Sequence, residues 1–232
     1  MTASGLTVGF VDPCAVEYNS AMRPHLLSGL ITGVVAVVVA AAAGRPAGVL
    51  LLPILAALAV PFAASSPRGH LGFASALGIA VGGTAWGALA GLGSGRALTL
   101  LLVLGAFSLL VAAACAPARA RRASPGVVLL SGAMPGFLLL GTVFYADPLV
   151  QATEGHPGLS RAVITTSVAA NPILVLSQHV GGEDLLHTAL YGRSTIGDRF
   201  FLYPPAWQPA VAFAAVALLL VGLSRLVAHP DV

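Results

Sequence analysis

The chain contains no lysine; its eleven permanently basic side chains are all arginines. That absence excludes a Schiff-base lysine, and with it retinal and pyridoxal chemistry, as well as the phosphate-binding lysine of a Walker-type loop. Charge of either sign is scarce, at 8% of residues against about 25% in soluble domains. Cysteine is scarcer still. Cys14 lies near the N-terminus and Cys115 inside an apolar run, a separation that argues against a disulfide or a thiolate metal site. What is abundant is apolar surface: 57% of the 232 residues are hydrophobic and the mean hydropathy is +0.93. Water cannot be the main solvent of such a chain.

The apolar residues fall into runs long enough to cross a bilayer. Residues 1–25 form a mixed polar segment with Asp12, Glu17 and Arg23, read as a short interfacial helix rather than a cleaved leader, because no basic start precedes it. Leu26–Ala43 is the first span, rising about 27 Å as a helix, and Gly44, Arg45 and Pro46 end it. Ala47–Ala64 follows as a second span, expected to be broken by Pro53 and Pro61. Leu71–Gly93 and Ala97–Ala116 are the third and fourth, and the basic cluster Arg119, Arg121 and Arg122 comes next. Gly126–Tyr145 is the fifth, with a kink expected at Pro135, where proline removes a ladder bond. Pro209–Leu223 is the sixth, with Tyr203 and Trp207 ahead of it as an interfacial belt would have them.

Fold class and organisation follow: an all-α polytopic membrane protein of six transmembrane helices. Residues 26–145 contain spans one to five, 146–208 an external segment, and 209–232 the last span and tail. The arginines set the orientation. With both termini inside, Arg23, Arg68, Arg119, Arg121, Arg122 and Arg225 face the cytoplasm, against Arg45 and Arg96 in short outer loops. The expected location is a bacterial inner membrane.

The external segment is the unusual part, since it gathers His179, Glu183, Asp184, His187, Arg193, Asp198 and Arg199. Residues 162–180 are apolar, yet Thr165, Thr166, Ser167, Asn171, Gln178 and His179 make them costly to expose to lipid. They read as a pair of re-entrant or interfacial helices, one ending near Ala170. The second starts with Asn171 as N-cap and Pro172 at the first helical position, and Gly181 and Gly182 loosen or end it.

Several chemistries find no support. His179, Glu183 and His187 are spaced to share one helix face, but Gly181 and Gly182 interrupt the helix and nothing supplies a further ligand to that face, so no metal site is expected. All six histidines lie in or near connections, which disfavours haem. Ser66 to His70 lacks the partners of a lipid phosphatase, and Ser94 and Ser131 lack the glycine framework of an intramembrane protease. No Asp, Glu or Arg lies inside a span, whereas ion-coupled carriers place ionisable groups at membrane depth. Glycines at four-residue spacing, Gly29 and Gly33 in the first span and Gly78, Gly82, Gly83, Gly87 and Gly91 in the third, form grooves for close helix packing.

The order of these parts resembles the permease subunit of ABC-2 type ATP-driven exporters. In that family a membrane-dipping pair of external helices precedes the last span and contains an Asn-Pro start, an apolar run, then an acidic residue and an aliphatic pair. Here Ala170, Asn171, Pro172, Ile173, Leu174, Val175 and Leu176 match, followed by Glu183, Leu185 and Leu186. Asp12, Pro13, Glu17 and Arg23 are similar to the family's interfacial elbow helix. The family often has an arginine soon after the acidic position; here the first is Arg193.

The resemblance implies a chain without cofactor or catalytic site of its own, paired with a second permease subunit and driven by a separate ATPase that holds the ATP. That ATPase would dock on the inner face at Glu17, Arg23, Arg68, Arg119, Arg121 and Arg122. The outer gate and substrate path would involve Asn171, Pro172, His179 and Glu183. Membrane lipids are the other expected partners, and nucleic acid is not one. The alternative is a non-catalytic accessory subunit of a respiratory, photosynthetic or secretion complex.

Overall fold

The computed structural model describes residues 13–67, 71–182, 184–185 and 203–228, giving for 13–23 the helical backbone alone. Among them there is no strand. Ten α-helices occur among the described residues, in chain order: α1 Pro13–Ala43, α2 Arg45–Ala64, α3 Leu71–Leu89, α4 Ser94–Ala114 and α5 Ala116–Ala120, then α6 Pro125–Leu140, α7 Thr142–Ala152, α8 Pro157–Ala170, α9 Pro172–Leu176 and α10 Trp207–Ala228. Among the described residues five helices are long and apolar enough to cross a membrane, or up to seven if the bent pairs α6–α7 and α8–α9 each count as one span. This is a multi-pass helical membrane protein.

Short polar or glycine-bearing connections make the hairpins. Gly44 alone joins α1 to α2, and its φ of 78° is a left-handed conformation that a side chain would strain. Proline stands in the first turn of α2, α6, α8 and α9, where its missing N–H has no intrahelical partner to lose.

α1 packs chiefly on α3, and the glycines explain how closely. A Cβ added at Gly29 would lie 2.9 Å from the Ala74 carbonyl oxygen, and one at Gly33 would lie 3.0 Å from that of Gly78. Gly78 and Gly82 in turn sit on the backbone of Gly29 and Gly33, so the two helices run parallel, small face to small face. Ser28 and Ser75 meet across this seam, their Oγ atoms 3.0 Å apart. Gly83 receives Leu104 and Leu52, Gly87 receives Leu92 and Leu100, and Gly91 turns at φ 74° beside Arg45.

The core lies on α2 and α4, where Leu52, Val60, Leu100, Leu104 and Phe107 are fully buried. Phe107 meets Phe213 of α10 edge-on, with ring centroids 5.9 Å apart. The spans of α1 and α10 are each only 17% buried, against 61% for the α4 span, so α1 and α10 are the outer helices. Their exposed side, with Leu30, Val34 and Val38 on α1 and Leu218 and Leu219 on α10, is a surface for lipid.

Two faces can be told apart by what lies together. Ala64, Gly72, Arg119, Ser224 and Arg225 line one cavity, bringing the ends of α2, α5 and α10 beside the start of α3. Pro24 of α1 lines another cavity with Ser66 and Leu71, so this start belongs to the same, basic face. On the opposite face Arg45 donates to the Ala90 carbonyl at the end of α3, and Arg96 lies beside Gly182.

One expectation about proline needs correction. α2 is one helix from Arg45 to Ala64 with Pro53 and Pro61 inside it, not a broken span. Both prolines are buried in close packing, Pro61 against Gly132 of α6, and such packing holds a proline-containing helix together where water cannot compete for the freed carbonyl. α6 also continues through Pro135, and a bend of 56° separates it from α7 at Gly141. The first span, Pro24–Ala43, is close to the expected one, but the α1 helix that contains it is longer, continuing through Pro24 from Pro13.

Candidate functional site

The bends at Gly141 and Asn171 meet. α8 and α9 are bent by 77° at Asn171, whose φ of −95° and ψ of 105° leave the helix for one residue. Its Oδ1 accepts from the backbone N–H of Ile173 at 3.0 Å and of Leu174 at 3.3 Å, satisfying two donors that no helix carbonyl can reach. Its Nδ2 donates to the Leu140 carbonyl at 2.7 Å, the last residue of α6 before the other bend. Thr142, just beyond that bend, reciprocates: Oγ1 lies 2.8 Å from the Ser167 carbonyl in the last turn of α8 and 3.1 Å from the Leu139 carbonyl.

Each break therefore supplies what the other lacks. A helix end leaves carbonyls without partners, and in a buried site each such group costs about 1–3 kcal/mol. Asn171 is 4% exposed, so water does not take over this role. Around the junction α7 and α8 pack on each other through Val143, Ala146, Val150, Ile164 and Val168, with Leu174 of α9 completing the cluster.

Beyond α9 the chain widens into one π-helical turn, Ser177–Gly181, ended by Gly182 in the left-handed region at φ 74°. Such turns widen the hydrogen-bond ladder and often mark functional positions. Within it the Gln178 Oε1 is buried without a hydrogen-bond partner. His179 Nε2 donates to the Pro204 carbonyl at 2.9 Å, and the Tyr203 hydroxyl donates to Asp184 Oδ1 at 2.7 Å. These two bonds tie the segment entering α10 to the end of the π turn.

The sequence-derived site residues thus separate. Asn171, Pro172 and His179 belong to one continuous element that reaches from the junction to Pro204; Glu183 lies outside the described residues. Of the inner-face set, Arg68 lies outside the described residues and no side-chain geometry is described for Glu17 and Arg23. Arg119 is engaged: its Nη1 donates to the Ala64 carbonyl and, at 3.1 Å, to the Ser66 carbonyl, closing the end of α2 with a positive charge where the helix dipole favours it. Arg121 and Arg122 are exposed in the turn after α5. No group of three or more His, Cys, Asp or Glu side chains that could hold a metal lies among the described residues.

Sequence reasoning missed Leu140 and Thr142. The available signal was Gly141-Thr142 closing an unbroken Leu138–Leu140 run, a helix stop that Pro135 obscured. Comparison of the chain with protein-family models, curated proteins and solved structures finds no match.

Proposed function

We propose that this chain is the membrane-spanning permease subunit of an ATP-driven exporter for a lipid-like or other hydrophobic or amphipathic substrate, powered by a separate ATPase. The observation that carries this reading is the junction of Asn171 with Leu140. It is a helix discontinuity held by a few identifiable hydrogen bonds, the kind of element that can adopt two arrangements and so gate a path. The Asn-Pro start of α9 is the residue-level likeness to the ABC-2 type permeases.

Parity supports six crossings. Pro24 and Arg225 belong to the same basic face, so the number of crossings between them is even. α1, α2, α3, α4, the bent α6–α7 and α10 make six, with α8–α9 entering from and returning to the other side. The arginine distribution favours a cytoplasmic basic face. Apolar span interiors suit an apolar cargo, and the energy source lies outside the chain, since no phosphate-binding loop is present. The ATPase docks against the basic face, where Arg121 and Arg122 are exposed.

Purification in mild detergent tests this. An ATPase subunit that copurifies and hydrolyses ATP faster in the complex is the expected result. Partners bearing haem, chlorophyll or iron–sulfur groups, without an ATPase, would instead make the chain an accessory subunit.

A further inference from the structure

We propose that the basic face also contains a seat for one anionic phospholipid, its phosphate at Arg122 and Arg119 and an acyl chain in the adjoining groove between α1 and α6. Two cavities meet at Ser66. One is a groove of about 830 Å³ that runs from Ser66 and Pro24 some two turns into the membrane, past Leu27, Ile31, Leu58 and Phe62 to Leu129 of α6. Its walls are unpartnered: Leu27, Ile31, Leu58 and Phe62 are each more than half exposed.

The other is a cavity of about 380 Å³ at the headgroup level, lined by Ser65, Ser66, Arg119, Arg122 and Pro125. No acidic side chain lines either cavity among the described residues. Arg119 is held there by the Ala64 and Ser66 carbonyls, so its charge is fixed in place rather than swept through water. Arg122, at φ 53°, is exposed beside it. α6 begins at the same point, and Ser124 makes no side-chain cap to its first N–H groups, so the positive end of the helix adds to the field.

A basic pocket at the membrane surface selects anionic headgroups, and an apolar groove continuous with it selects a molecule with a hydrocarbon tail. Free phosphate satisfies only the first condition, so the occupant is a lipid. This proposal needs only that the basic face lies at a membrane surface, and it stands whether or not the chain belongs to an exporter.

The test is native mass spectrometry of the full chain released from nanodiscs of equal phosphatidylglycerol and phosphatidylcholine. The wild type is expected to retain phosphatidylglycerol preferentially, and added glycerol 3-phosphate not to displace it. Arg122→Gln lowers that retention about fivefold. Leu27→Trp, which fills the groove from an exposed position, lowers it while leaving both arginines in place. Equal retention of the two lipids by the wild type overturns the proposal without recourse to any variant. So does displacement by glycerol 3-phosphate. A Leu27→Cys chain that cross-links to a second copy and retains no lipid also overturns it, since the groove would then be a dimer interface.

Discussion

Asn171 and Leu140, 31 residues apart in the chain, are joined by a 2.7 Å hydrogen bond from the Asn171 Nδ2 to the Leu140 carbonyl, while the same side chain caps α9 through its other atom. One buried amide thus holds two helix breaks in a fixed relation. An amide is the side chain suited to this, because it presents an acceptor and a donor on one planar group.

The two functions of that amide can be separated by substitution. Asn171→Asp keeps an acceptor for Ile173 and Leu174 but loses the donor to Leu140; Asn171→Leu loses both. The cap contributes about 1–2 kcal/mol and the unsatisfied Leu140 carbonyl costs about 1–3 kcal/mol. Asn171→Leu is therefore expected to lower the thermal midpoint of the detergent-solubilised protein with membrane insertion unchanged. Thr142→Val, which keeps the shape and removes the bond to Ser167, is expected to be milder. Combined with Asn171→Leu it should show a coupling of about 0.5–3 kcal/mol in a double-mutant cycle, because both side chains bridge one junction. Strict additivity would mean that the two bonds are independent.

The glycine seam between α1 and α3 makes a second prediction. A methyl at Gly78 collides with the Gly29 backbone carbonyl, which no side-chain rotation relieves, whereas Gly222 on α10 has nothing within 4 Å of an added Cβ. Gly78→Ala should destabilise by about 1–3 kcal/mol, the usual cost of overpacking. Gly222→Ala should be neutral or slightly stabilising, since alanine is the better helix former. Equal effects in a thermal unfolding assay would show that α1 and α3 do not meet through these glycines.

Much of this architecture is written locally in the sequence. The apolar runs give the helices, and Asn171-Pro172 specifies a capped start from within three residues. The bend at Gly141 is different. Its partners, Asn171 and Ser167, come from 25 to 31 residues away, so nothing in the local pattern distinguishes Gly141 from the stronger breaker Pro135. Pro53 and Pro61 misled for the same reason: whether a proline breaks a helix depends on what packs against it, which for Pro61 is Gly132. Arg119 reads as one member of an exposed basic cluster, yet the end of α2 recruits it as a clamp.

Topology gives a third prediction. If the crossings number six, single cysteines at Glu154 and Glu183 will both react with a membrane-impermeant maleimide in intact cells, and one at Ser124 will react only after permeabilisation. Both cysteines of the native chain are first replaced by serine. Opposite accessibility of the Glu154 and Glu183 positions would mean that residues 162–180 cross the membrane and that the six-span assignment is wrong.

The central claim is that the junction of Asn171 gates an ATP-driven path. The direct measurement is movement of a fluorescent phospholipid analogue across proteoliposomes that contain the chain with its copurified ATPase, with and without ATP. The account predicts ATP-dependent movement that Asn171→Leu reduces severalfold while the complex still assembles, and that Asp184→Ala reduces less. Movement that does not depend on ATP, or that Asn171→Leu leaves unchanged in an assembled complex, would contradict it.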